Sequence, residues 1–184
     1  MPRPHIEFVQ CQNIDWINRE DGTQIKRLNA GASSGEETLL IRYPPDYRQV
    51  GGFLLKRAKE FFVLEGAVQM GDRACGLHSY GFLPRGHDPE TWTSEKGATL
   101  LLFRHGWDDP NSGADCAEAL QVDTAAMPWD VSTYDPQLSH LRLARKVLRM
   151  GPQDSCRTFL LTGMPHGVPP VDALPAEYHD HAEE

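Results

Sequence analysis

Few side chains in this sequence stand in an arrangement that does chemistry by spacing alone. Gly31-Ala32-Ser33-Ser34-Gly35 satisfies Gly-x-Ser-x-Gly, the pattern that lifts a nucleophilic serine onto a sharp turn. That elbow needs a strand before the serine and a helix after it. Here a strand-like apolar run follows, so a plain β-turn is expected. Cys75-x-x-His78 has half of a zinc-ligand spacing, but no second half lies at a suitable distance, and a turn is expected there too. His105 and His140 stand alone and read as surface or satisfied core histidines. Neither Gly-x-Gly-x-x-Gly nor a Walker-type loop occurs, so no nucleotide fingerprint is present.

The elements that would position any such residues are short and apolar. Sixteen glycines and fourteen prolines interrupt the 184 residues every few positions. That density forbids long helices and suits many short strands. Strand-like runs cover Glu37–Tyr43, ended by Pro44-Pro45, then Glu60–Glu65, Ala67–Met70 and Tyr80–Leu83. Ala98–Arg104 is almost wholly apolar, as a strand buried on both faces would be. Turns recur about every 8–12 residues, the rhythm of an all-β sandwich or barrel. Ala114–Leu120 and Pro136–Leu141 are the two helix candidates.

Charge and length narrow the function class. The formal charge is 18 − 26 = −8, which argues against a nucleic-acid or anionic-membrane surface. No apolar run approaches a membrane span. The N-terminus, MPRPHIEFVQ, has no apolar signal core, so a cytoplasmic location is expected. Cys11, Cys75, Cys116 and Cys156 are scattered and read as reduced thiols.

The chain also repeats itself. Residues 25–45 and 145–165 align without gaps at an offset of 120, with six of 21 positions identical: Lys26/Lys146, Leu28/Leu148, Gly31/Gly151, Thr38/Thr158, Leu40/Leu160 and Pro45/Pro165. The physical reading is a strand, a turn of about ten residues and a buried strand, used twice.

Lys59-Glu60-Phe61-Phe62-Val63-Leu64-Glu65-Gly66, followed by Tyr80-Gly81-Phe82-Leu83-Pro84-Arg85-Gly86, resembles the first and second motifs of the cupin superfamily. The Thr93–Gly97 turn into a buried strand fits the same pattern. The resemblance covers about residues 20–105, and with the repeat it suggests a two-cupin (bicupin) chain similar to the ChrR-like cupins. It implies an all-β, jelly-roll-like double-stranded β-helix with few short helices. The expected division is a cupin barrel over 1–122 and a partial second repeat over 123–184. A homodimer is implied as well.

Carried onto this sequence, the cupin His-x-His positions fall near Phe53 and Leu55, the Glu on Lys59 and the last His on Pro89. These residues are unsuited to a divalent metal, so the first unit is expected to have lost its metal site. Glu60 lies beside Lys59 and faces the other way, and His87 precedes Pro89 by two residues. The first unit is then a metal-free binder of an unknown small molecule, with Lys59, Phe61, Tyr80, His87 and Trp92 as the expected pocket and core packing as the plain reading for the aromatic residues. If Lys59 points into the barrel, its charge must be paired or its pKa depressed. It then could anchor an anion or act as a base; at the rim it is simply solvated.

The tail, Glu177-Tyr178-His179-Asp180-His181-Ala182-Glu183-Glu184, resembles the cupin ligand segment. His179, His181 and Glu183 would suit Fe, Mn, Ni or Zn. The alternative function is therefore a metal-dependent, dioxygenase-like enzyme built on that segment, with the solvated acidic tail as the plain reading. The second unit halts in mid-motif, as the N-terminal part of a longer bicupin would.

Overall fold

The structure, a computed structural model, describes residues 9–50, 54–107, 118–131, 143–151 and 157–163. The chain divides into two compact units, Met1–Asp123 and Thr124–Glu184. The fold is all-β: its only helical segments among the described residues are the 3-10 turns Cys11–Asn13 and Thr124–Ala126. No helix among them is long and apolar enough to cross a membrane.

The first unit is one nine-stranded sheet of β1 (Ile17–Asn18), β2 (Gln24–Ala30), β3 (Glu37–Val50), β4 (Lys59–Gly66), β5 (Val68–Met70), β6 (Arg73–Cys75), β7 (Ser79–Leu83), β8 (Thr91–Arg104) and β9 (Leu120–Asp123). The order is β1-β2-β3-β8-β4-β7-β9, with β5 joining β8 and β6 joining β5. β8 is the spine. It pairs with β3 along almost its whole length, and its other edge is shared by β5 and then β4.

Alternation along these strands sends one set of side chains to a common inner face. Leu39, Ile41 and Tyr43 of β3 meet Ala98, Leu100 and Leu102 of β8 and Phe61 and Val63 of β4 there. Trp92, Met70, Val68, Cys75, Leu83 and Leu55 complete the core. Burial pushes the Cys75 thiol up to about 11, so it behaves as a small apolar side chain.

Three sequence-based expectations are corrected. Pro44-Pro45 does not end its strand: β3 runs on to Val50 against β8. Beyond Arg42, β3 has left the β2 ladder and keeps only β8 as a neighbour, and the β8 register passes over Pro44 and Asp46, so prolines are tolerated along this edge stretch. Thr93–Gly97 is not a turn but part of β8, which bends at Gly97 (φ +85°) without breaking. Of the helix candidate Ala114–Leu120, the last residue opens strand β9, and 114–117 lie outside the described residues, as does Pro136–Leu141.

The second unit carries the hairpin β10 (Leu143–Met150) and β11 (Arg157–Gly163). Its register reproduces that of β2 and β3 pair by pair. Lys26↔Leu40 becomes Lys146↔Leu160, and both ladders skip one residue, Leu28 and Leu148. Each intervening connector is six residues by numbering (31–36 and 151–156), shorter than the expected ten. The match extends upstream. Lys26 Nζ donates to the Cys11 carbonyl at 2.8 Å and lies 5.0 Å from the centre of the Trp16 ring. Lys146 Nζ donates to the Thr124 carbonyl at 2.7 Å and lies 4.4 Å from the centre of the Trp129 ring.

The tightest packing constraint is at Gly81. Its backbone sits against the fully buried Phe61 ring, and a Cβ there would lie 2.3 Å from ring carbons. Interiors of crystalline density cannot absorb such a methyl without displacement. Gly81→Ala is expected to destabilise the first unit by about 1–3 kcal/mol, seen as a lower denaturation midpoint, and Phe61→Leu in the same chain is expected to recover part of the loss. An unchanged midpoint in Gly81→Ala would contradict this packing.

Candidate functional site

The register of β3, β8 and β4 arranges the inner face in rows. Leu39, Leu102 and Phe61 form one row, and Ile41, Leu100 and Val63 the next. At the end of the same stack comes Glu37–Arg104–Lys59. Because Phe61 and Val63 face the core, Lys59, two residues before Phe61 on an unbroken stretch of ladder, faces it as well.

Glu37 gathers the nearby arginines. Arg104 Nη1 donates to its Oε2 at 2.8 Å, Arg57 Nη2 to the same oxygen at 3.3 Å, and Arg27 Nη2 lies 3.3 Å from Oε1. Arg57 also stacks over Trp107, 4.4 Å from the ring centre. Burial alone would raise Glu37, but the Arg104 hydrogen bond and the charges of Arg104, Arg57 and Arg27 outweigh it and hold the carboxyl below its ordinary range.

Lys59 has no such carboxylate. Its ammonium has no hydrogen-bond or ion-pair partner among the described residues. Burial, and then the charges of Arg104, Arg57 and Arg19, push its pKa down to about 8. Arg19 is itself paired with Asp21 at 3.7 Å. The formal sum over Arg27, Arg57, Lys59, Arg104 and Glu37 is 4 − 1 = +3, in a chain whose net charge is −8.

The expected pocket residues separate. Phe61 and Trp92 meet edge to face with centroids 5.4 Å apart, and Lys59 shares their face. Tyr80 does not join them. It pairs with Phe62 across β4 and β7 and projects from the opposite face, where its hydroxyl donates to Glu60 Oε2 at 2.6 Å. His105, read from sequence as standing alone, brings Nε2 to 2.8 Å from Glu60 Oε1, closing a buried Tyr80–Glu60–His105 group. His87 is half-buried just after the Pro84–Gly86 turn, and its backbone carbonyl accepts from the Leu55 N–H at 3.0 Å. A surface cleft of about 450 Å³ lies elsewhere, lined by Arg73, Gly76, Leu77, Ser79, Gln121 and Asp123, and holds none of the five.

Sequence reading missed Glu37, Arg57 and Arg104. The signal was parity: Glu37 precedes Leu39 and Ile41 by even steps, as Arg104 follows Leu100 and Leu102. The Ser33–Ser34 stretch is the turn of the β2–β3 hairpin, with no helix following.

The donors do not fit a metal at the positions implied by the cupin resemblance. Leu55 is in the apolar core, Pro89 is buried and has no donor atom, and a protonated lysine has no free lone pair. Phe53 lies outside the described residues, as do His179, His181 and Glu183. Among the described residues, no three His, Cys, Asp or Glu side chains converge.

Residues 5–107 match the family model of the ChrR cupin-like domain. Among solved structures, a candidate dioxygenase from Nostoc punctiforme superposes with a TM-score of 0.67 at 23% identity, over 84% of this chain. This chain spans 54% of that one. A candidate acetylacetone dioxygenase from Methylibium petroleiphilum superposes with a TM-score of 0.50 at 15% identity, over 66% of this chain and 92% of its own. At these identities the likeness concerns the fold. No curated protein matches the chain.

Lys59, without a partner among the described residues, makes a signed prediction. Its folded pKa of about 8 lies below its ordinary 10.5. Between those values the folded state binds fewer protons than the unfolded state, so stability rises with pH across that window. The charge costs at most about 3 kcal/mol below pH 8, at about 1.4 kcal/mol per pKa unit. Lys59→Met is therefore expected to stabilise the protein by about 1–3 kcal/mol at pH 7, with the gain shrinking from pH 8 to 10. A loss of stability in Lys59→Met at pH 7 would show that the ammonium is well accommodated.

Proposed function

The chain belongs to the ChrR cupin-like domain family, and from that premise we propose that it binds a small molecule on its inner face without a metal at the usual cupin position. One observation carries the reading: Lys59, where the cupin pattern has a carboxylate, faces inward beside Phe61 and is surrounded by cations. A site with a positive charge at its centre repels a divalent cation. Removing the carboxylate alone would leave an inert core. Placing an inward ammonium there leaves a functional group that needs a partner. Trp92, in ring contact with both Phe61 and Tyr43, packs with them in the apolar core next to it.

Homodimer formation, implied by the family resemblance, belongs to the same proposal. The tail segment His179, His181 and Glu183 supports the metal-dependent alternative on sequence grounds only. Metal analysis separates the two readings. Full-length chain purified without an affinity tag is expected to hold well under one equivalent of Fe, Mn, Ni or Zn. About one equivalent, retained in the His179→Ala/His181→Ala variant, would place a metal away from the tail and overturn the proposal.

A further inference from the structure

We propose that Lys59 and Arg104 form the head-group site for a small organic oxyanion, a carboxylate or a phosphate ester. This rests on the metal-free reading above and names the ligand class for that same site.

Two features converge on it. The first is charge. The row Glu37–Arg104–Lys59, with Arg27 and Arg57, carries a formal +3 on a partly buried surface, and its one carboxylate is already shared among three guanidinium groups. The remaining Arg19 is matched by Asp21. An entering anion is the partner that completes this balance.

The second is donor geometry. Arg104 spends Nη1 on Glu37, and its Nε and Nη2 make no further bond among the described residues. A guanidinium keeps its donors in a planar fork that fits two oxygens of one carboxylate or phosphate. Lys59 lies directly opposite Arg104 in the ladder, so the two side chains leave the sheet side by side on the inner face.

Thermal shift and tryptophan fluorescence titrations on the full chain test the proposal, with benzoate, phenyl phosphate and neutral benzamide as probes at matched ionic strength in chloride. Benzoate or phenyl phosphate is expected to raise Tm saturably, and the stronger of the two identifies the head group. Lys59→Met and Arg104→Gln are each expected to weaken binding about tenfold or more, while Lys59→Arg keeps it. Should Lys59→Met not fold, Lys59→Gln against Lys59→Arg gives the same comparison. No anion effect beyond that of chloride, or wild-type binding in the neutral variants, overturns the proposal. Equal stabilisation by benzamide would overturn the oxyanion assignment while leaving the metal-free binding site standing. A full equivalent of metal away from the tail would instead remove the reading beneath it.

Discussion

The inner face depends on one constraint, the mutual register of β3, β8 and β4. That register stacks Ile41, Leu100 and Val63 beneath Leu39, Leu102 and Phe61, and ends the stack with Glu37, Arg104 and Lys59. Side chains alternate with period two, so a one-residue slip of β4 would exchange Lys59 for Glu60 and Phe61 for Phe62 on the inner face. It would also break the group in which Tyr80 and His105 hold the Glu60 carboxylate on the other side. Apolar rows and two polar groups on opposite faces therefore select the same alignment. The chemistry of the candidate site follows from it: an inward lysine at a position where the family pattern has an acid.

The same hairpin geometry is used twice. The β2–β3 and β10–β11 pairs share register, skipped residue and a lysine that caps a carbonyl at the start of a 3-10 turn while covering a tryptophan. Both supports favour burial of these lysines, since the carbonyl takes one proton donor and the ring face meets the charge. The recurrence of this arrangement within one chain marks it as a repeated building unit.

How much of this was legible in the sequence depended on the range of the physics involved. Alternation is local, so the apolar runs ETLLIRY, EFFVLE and ATLLLFR could be read as strands, and Glu60 as facing away from Lys59. The glycine-serine stretch at 31–35 was legible as a turn for the same reason. Pairing is not local. Nothing within Ala98–Arg104 announces that Arg104 lies between Glu37 and Lys59, so the cationic row was invisible. Tyr80 was grouped with Phe61 because both are aromatic and near in the motif, yet the ladder sends them to opposite faces. The repeat was recognised only from residue 25 onward because its upstream part is offset differently: Trp129 − Trp16 gives 113, whereas Lys146 − Lys26 gives 120. A comparison without gaps cannot cross that change. Pro44-Pro45 misled because proline ends a strand only where its missing donor is needed.

The candidate site depends on a lysine that faces inward without an anionic partner among the described residues. Titration of the Lys59 side chain by NMR, assigned by its loss in Lys59→Arg, measures that directly. The ammonium is expected to titrate near pH 8 in the ligand-free protein, as burial and its cationic neighbours require. A midpoint at or above the ordinary 10.5 would mean a solvated or paired lysine, and would remove the basis for an anion-binding inner face.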